Sequence, residues 1–192
     1  MKGRAFTILE HPVIRAEKLY QSRDPNIEWM KFPIYLESIE YVDNWMVRSL
    51  TNDKTGELTE DHLLIAKGIL ARKFFIGIAE YMEETIKRIE LYYGWKPHKE
   101  QCVQSYLENQ RIKEAEMPRN TIERGGAEWE LVAENDKFDM MLYYYALELF
   151  TKQGSTMFKR PYVDKTGEPI DFMKLKKKEE MKKTLWGLRG GG

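Results

Sequence analysis

Several features that would place a chain in a familiar class are scarce in this sequence of 192 residues. Cys102 is the only cysteine, so an internal disulfide is excluded. Basic and acidic residues number 31 each, which leaves no net charge to attract nucleic acid or anionic lipid. No apolar run approaches the roughly 20 residues of a membrane-spanning helix, and no apolar leader follows Met1. We therefore expect neither a nucleic-acid partner nor a transmembrane segment.

Side-chain groupings that would carry chemistry are also scarce. The three histidines are far apart in the sequence, at His11, His62 and His98, and none belongs to a metal-binding pair, so no metal is predicted. Cys102 lies in a polar stretch without a partner for nucleophilic catalysis. Glu80 and Glu84 are one helical turn apart and are interpreted as a solvated helix face. No glycine-rich phosphate loop occurs anywhere in the chain.

What the sequence does contain is mostly helical pattern. Two short apolar runs, residues 5–9 and 74–78, predict β-strands. Apolar residues at helical spacing predict helices over residues 12–21, 35–50, from Thr59 onward, 78–93, a short one near 103–110, from Trp129 onward, and from Phe138 to near Gly154. The predicted fold class is mostly α with two or three short β-strands. Two strands make a marginal sheet, so exposed strand edges that bind a second copy or a docking chain are expected.

The chain is predicted to divide near residue 154. Residues 1–154 form the predicted domain, and residues 155–192 form a basic C-terminal appendage that is partly disordered. Within that appendage, residues 173–192 carry seven basic and two acidic side chains. Contact with nucleic acid or an acidic surface is one interpretation of these charges. A short amphipathic helix is the interpretation that we favour, because Glu179 and Glu180 interrupt the basic run.

Residues 9–20 (LEHPVIRAEKLY) resemble a known phosphate-binding motif. In sulfotransferases a strand ends in Arg-x-Pro-x-x-Arg-x-x-Ser-x-Phe/Tyr and enters a helix, and this segment binds the 3′-phosphate of the nucleotide. The physical basis is a helix N-terminus with free backbone amides, completed by a cationic side chain. The equivalent positions here are Pro12 and Arg15, which match the motif, and Lys18, which stands where the serine is usual.

The resemblance extends in order over residues 4–153. Further matching segments are residues 44–51, 58–63, 74–78, 80–85, 93–95, 128–131, 136–139 and 143–150. The series resembles sulfotransferases of the carbohydrate-modifying type, which implies a partial P-loop-like α/β sulfotransferase fold. It also implies 3′-phosphoadenosine-5′-phosphosulfate as cofactor and a carbohydrate hydroxyl or amine as acceptor. By resemblance, Arg15, Lys18 and Arg48 bind the cofactor; the alternative is that they are ordinary helix residues, structural in the case of Arg48.

Two departures from the family pattern limit what the resemblance implies. The Pro-Lys-x-Gly-Thr loop that cradles the 5′-phosphosulfate has no counterpart in these residues, so they correspond to the C-terminal portion of the family. Glu10 replaces the first arginine of the motif and places a negative charge beside the phosphate position. We therefore expect no catalysis by the isolated chain. The alternatives are a non-catalytic helical interaction module and a chain that docks with a separate loop-bearing partner. Eukaryotic family members imply the Golgi lumen as compartment; otherwise it would be the cytoplasm.

Overall fold

The structure is a computed structural model that describes residues 4–23, 31–95, 103–109 and 122–158. Within these ranges the protein is mostly helical with two short strands, which confirms the coarse fold class predicted from the sequence. In chain order the elements are β1 (Ala5–Leu9), α1 (Pro12–Gln21), α2 (Phe32–Leu36), α3 (Trp45–Thr51), α4 (Glu60–Lys73), β2 (Phe74–Ile78), a 3-10 turn (Ala79–Tyr81), α5 (Met82–Tyr93), α6 (residues 103–109), α7 (Ala127–Asn135) and α8 (Lys137–Met157). The predicted appendage beyond residue 158 lies outside the described residues.

The two strands pair in parallel, with Ala5 opposite Phe74 and Leu9 opposite Ile78. A parallel pair needs a long crossover, and here the crossover contains α1 to α4. One face of the pair packs on α4 and α8, and α3 packs on these two helices to complete the main core. The buried residues of that core are Leu9, Met46, Val47, Leu58, Leu63, Ala66, Leu70, Ile76, Ile78, Phe138, Leu142, Tyr143, Ala146, Leu147 and Phe150.

Helix α5 covers the opposite face of β2. The ring of Phe75 stacks on Tyr92 of α5 with 5.9 Å between centroids. Next along this face, Gly77 allows α5 to approach closely, because a Cβ at that position would lie 2.4 Å from Cγ2 of Thr85. The Thr85 hydroxyl accepts the Ile78 N–H (3.0 Å) and donates to the Ile78 carbonyl (3.1 Å). This local bonding fixes the start of α5 at the carboxyl end of β2.

The single helix predicted over residues 35–50 is wrong. Helix α2 ends at Leu36 and α3 begins only at Trp45, with turns and an extended stretch between them. The break centres on Asn44, which adopts the left-handed conformation with φ of 47° that asparagine tolerates better than most residues. Its side-chain oxygen bonds to the first turn of α8, and this long-range contact outweighs the helical spacing of the apolar residues.

Two further boundaries differ from the sequence predictions. Ile78 belongs to β2 rather than to the following helix, and α5 begins after the 3-10 turn. Helix α8 continues past Gly154 to Met157. It does so because Gln153 is buried against β2, where its side chain accepts the Ile76 N–H (2.9 Å) and donates to the Phe74 carbonyl (3.2 Å).

Helices α3 and α8 cap each other at their N-termini. The Asn44 Oδ1 accepts the backbone N–H groups of Phe138 (2.8 Å) and Asp139 (3.1 Å), in the first turn of α8. In return, the two carboxylate oxygens of Asp139 accept the N–H groups of Met46 and Val47, both at 2.8 Å, in the first turn of α3. The first backbone N–H groups of a helix have no partner within the helix. The two caps supply partners for four such groups, two in each helix, in a buried position.

Replacing Gly77 with alanine should destabilise the fold, because the new methyl group meets Thr85 Cγ2 at well under van der Waals distance. We expect a loss of about 1–3 kcal/mol in the free energy of unfolding, measured by urea denaturation. Adding Thr85→Ser removes that methyl group and keeps the hydroxyl that bonds Ile78. The double variant should therefore be more stable than Gly77→Ala alone. Additive losses in the two substitutions would contradict this close contact.

Replacing Asp139 with asparagine tests the mutual caps. The amide nitrogen cannot accept one of the two N–H groups that the carboxylate now binds, which leaves a buried donor without a partner. The expected loss is about 1–3 kcal/mol in the free energy of unfolding at about pH 9, where the carboxyl group of Asp139, whose pKa burial raises to about 7, is ionised. Glu148→Gln, which neutralises an exposed carboxylate of the same helix, serves as the control and should change stability little. Equal effects of the two substitutions would refute the capping role.

Candidate functional site

The carboxyl ends of both strands meet at one edge of the sheet, and polar residues follow each strand there. Glu10 and His11 follow β1, and Glu80 lies in the 3-10 turn that follows β2. The backbone N–H of His11 donates to Oε1 of Glu80 (2.9 Å), so the two segments are in direct contact. Ligands of open α/β sheets bind beyond the carboxyl ends of the strands. This edge is accordingly the candidate site.

His11 is the most buried polar residue at this edge. Its Nδ1 accepts the Val13 N–H (3.3 Å) and thereby caps α1, directly before Pro12. Its ring lies 4.9 Å from that of Trp129 in α7 and 5.0 Å from that of Tyr143 in α8. Burial, and then the nearby Arg124 charge, lower the pKa of His11 to about 3, so the imidazole is neutral. Its Nε2 has no hydrogen-bond partner among the described residues.

The sequence interpretation missed this role of His11, which was considered only as a metal ligand. One signal was present, because a polar side chain immediately before Pro12 is placed to cap a helix. No sequence pattern indicates the contacts of His11 with Trp129 and Tyr143, because more than a hundred residues separate these two side chains from His11.

Glu80 joins the two strand ends to α8. Burial of the carboxyl group raises the pKa of Glu80, and bonds from its own backbone, from His11 and from the Tyr143 hydroxyl oppose that rise. Burial of the Tyr143 hydroxyl, and then the Glu80 charge and hydrogen bond, raise the pKa of Tyr143. The interpretation of Glu80 and Glu84 as one solvated helix face holds only in part. Glu80 is exposed as a whole residue but precedes α5, whereas Glu84 lies in α5 and forms an ion pair of 2.8 Å with the buried Arg88.

Arg15 lies in the second turn of α1 and packs against α3. Its guanidinium carbon is 5.0 Å from the centre of the Trp45 ring, a cation–π contact. Its charge also helps to lower the pKa values of the buried Asp136 and Asp139, against the larger effect of burial, which raises the pKa of Asp139 to about 7. Arg15 makes no ion pair within 4 Å among the described residues. Its charge therefore remains available at short range to an anion.

Lys18 is held at the same edge by an acid. Its Nζ lies 2.6 Å from Oε1 of Glu10, and both side chains are partly exposed. The residue that departs from the sulfotransferase motif, Glu10, thus binds the lysine that replaces the serine of that motif. A phosphate group at Lys18 would compete with this carboxylate and would be repelled by it.

Arg48 is bound on all sides within its own segment of the chain. Its guanidinium donates to the Asp43 carboxylate at 3.0 and 3.1 Å and to the carbonyls of Asp43 (3.0 Å) and Gly56 (2.8 Å). These contacts tie the loop after α3 to the residues before it. No described contact joins Arg48 to Arg15 or Lys18. Cofactor binding by Arg48 stays a prediction, and it would require loss of these bonds.

The described residues show no sign of a metal site or of a membrane span. They contain no group of three or more His, Cys, Asp or Glu side chains that could hold a metal ion. None of the described helices combines the length and the apolar character needed to cross a membrane.

Comparison of the chain with protein-family models, with curated proteins and with solved structures finds no match.

The burial of neutral His11 predicts a specific sensitivity to acid. The folded-state pKa of about 3 lies below the ordinary value of 6.5, so the unfolded chain binds the proton more readily between these values. Stability from this residue is therefore present above pH 6.5 and lost as the pH falls towards 3. His11→Asn keeps a capping acceptor for Val13 and removes the titration. The difference between the wild type and this variant in free energy of unfolding should shrink by about 2 kcal/mol between about pH 8 and about pH 5.

Urea denaturation at both pH values measures this difference. An unchanged gap would show that the imidazole is accessible to water in the folded protein, contrary to its burial at 6% exposure.

Proposed function

We propose that this protein is of the sulfotransferase type and contributes the part of such a fold that binds the nucleotide 3′-phosphate. The supporting observation is the connection between β1 and α1. Strand β1, which is parallel to β2, leads directly into α1, so the N-terminus of α1 lies at the carboxyl edge of the sheet. Arg15 and Lys18 lie on that same helix. The arrangement matches the strand–helix geometry that the resemblance of residues 9–20 implies.

The chemistry at this edge suits an anion in part. The first turn of α1 contains no acidic residue, and a helix N-terminus favours negative charge. Arg15 adds a cation without an ion-pair partner within 4 Å among the described residues. Glu10 opposes anion binding because it pairs with Lys18. The residues therefore fit a 3′-phosphate weakly, and we derive no step of sulfuryl transfer from them.

Intact enzymes of the proposed class transfer a sulfuryl group from 3′-phosphoadenosine-5′-phosphosulfate to a carbohydrate hydroxyl or amine. That reaction depends on a cradle for the 5′-phosphosulfate and a base for the acceptor, since positioning supplies most of the rate enhancement. Neither the phosphosulfate loop of the family nor its usual catalytic base has a counterpart in this sequence. We accordingly propose that this chain by itself is inactive.

A non-catalytic interaction module is the second candidate. The observation that favours it is an exposed apolar surface on β1 and the end of α5, formed by Phe6, Ile8, Tyr93 and Trp95. Large exposed apolar groups in contact with one another are typical of binding surfaces. The two candidates differ in what they bind, so a nucleotide titration separates them.

Isothermal calorimetry with 3′,5′-adenosine bisphosphate and with adenosine 5′-monophosphate tests the phosphate site. We expect weak binding, with a dissociation constant on the order of 1 mM, and a preference for the bisphosphate. Arg15→Ala should abolish that preference, because it removes the unpaired cation of α1. Glu10→Gln should strengthen binding several-fold, because it releases Lys18 from its carboxylate. Fluorescence of Trp45, beneath Arg15, provides a second readout.

The control is Arg72→Ala, which removes an exposed arginine of α4 whose Nε donates to its own helix at Gly68. It should leave nucleotide binding unchanged. Equal binding of the two nucleotides, or equal effects of Arg15→Ala and Arg72→Ala, would refute the 3′-phosphate site. Micromolar affinity that depends on Arg15 would instead refute the proposal that the isolated chain binds only weakly.

A further inference from the structure

Strand β1 has a single neighbour among the described residues, because β2 occupies one of its edges and no described strand occupies the other. Alternate backbone N–H and C=O groups of β1 therefore face away from the sheet. An open edge of this kind is a template for pairing with another strand. It is also short, at five residues, so side chains must contribute strongly to any pairing.

The side chains beside this edge are apolar and exposed on one face. Phe6 is 44% and Ile8 is 40% exposed. Both lie on the face of the sheet against which α5 packs, mainly over β2. Tyr93 at the end of α5 contacts Phe6 edge to face at 6.2 Å, and Trp95 stacks on Tyr93 at 5.1 Å. Trp95 is itself 57% exposed. We call these four residues the β1 patch.

The sequence of β1 is self-complementary about Thr7. If two copies pair antiparallel with Thr7 opposite Thr7, each Phe6 faces the Ile8 of the other copy. In the same register the Arg4 side chain comes opposite Glu10 at both ends of the pairing, which gives two attractive charge contacts that Glu10 shares with its own Lys18. All four residues lie at alternate positions and therefore on one face. Cross-strand pairs of these types each contribute about 0.2–1 kcal/mol. The Arg4 N–H and C=O remain bonded to the hydroxyls of Tyr92 and Tyr93, so backbone pairing is confined to β1 itself.

From this match we propose that β1 is a homodimer interface, in which two copies of the chain join through antiparallel β1 strands into a continuous four-stranded sheet. A twofold axis through Thr7 generates both contacts, as isologous interfaces require. The zero net charge of the chain opposes the association of two copies only weakly. Each β1 patch then packs along the seam beside the Ile8 of the partner copy, and the open edge is closed.

Cysteine cross-linking tests both the contact and the register. In a Cys102→Ser background, Thr7→Cys places two thiols opposite each other at Cα separations of about 4.5–5.5 Å, within the range of a disulfide. Mild oxidation should convert this variant to a covalent dimer. Ala5→Cys is the matched control, exposed on the same strand, whose two copies would be about 13 Å apart in the proposed register. It should form no covalent dimer.

Sedimentation velocity on the full chain over a wide range of concentration measures the association itself. The wild type should shift from monomer to dimer, and Arg4→Glu should weaken the dimer about tenfold by placing like charges at both ends of the seam. Combining Arg4→Glu with Glu10→Arg should restore association, while circular dichroism checks that each variant is folded. The proposal is overturned if the wild type stays monomeric at every concentration, or if Ala5→Cys cross-links as readily as Thr7→Cys.

Discussion

The mutual capping of α3 and α8 is the interaction on which the rest of the described structure depends. Asn44 and Asp139 are each almost fully buried, and each satisfies two backbone donors at the start of the other's helix. Burying polar groups is favourable only when they are hydrogen-bonded, so these contacts permit one relative placement of the two helices. The nearby Asp136 accepts the Tyr41 hydroxyl and the Asn44 N–H, which ties the segment before α3 to the same point.

That placement also builds the edge of the sheet. With the start of α8 fixed, Tyr143 reaches Glu80 and the ring of His11. Helix α7, directly before α8, brings Trp129 against the same ring. The site is therefore assembled from four separate stretches of chain. Its polar groups are largely used in holding those stretches together, because Glu80 bonds the His11 backbone and Glu10 binds Lys18. Arg15 offers a cation that has no ion pair within 4 Å among the described residues.

The two proposals concern neighbouring parts of β1 and share Glu10, which binds Lys18 beside the anion site and faces Arg4 across the proposed dimer seam. The anion site lies at the carboxyl edge, where α1 begins, and the dimer interface lies along the free side of β1. Both arise from the small size of the sheet. Helices pack on both faces of β2 but leave one face of β1 partly uncovered, so Phe6 and Ile8 of β1 are exposed.

The sequence by itself determined the local elements. Both strands were predicted at their observed bounds, because short apolar runs ending at polar residues carry their own signal, and α1, α4 and α5 followed from capping residues and helical spacing. Periodicity failed between residues 35 and 50, where Asn44 breaks the helix to bond a segment more than ninety residues away. The same limit applies to the site: Arg15 and Lys18 were found through their motif, whereas the burial of His11 and the restraint of Lys18 by Glu10 were not. Those facts depend on which distant side chains meet, and tertiary packing alone decides that.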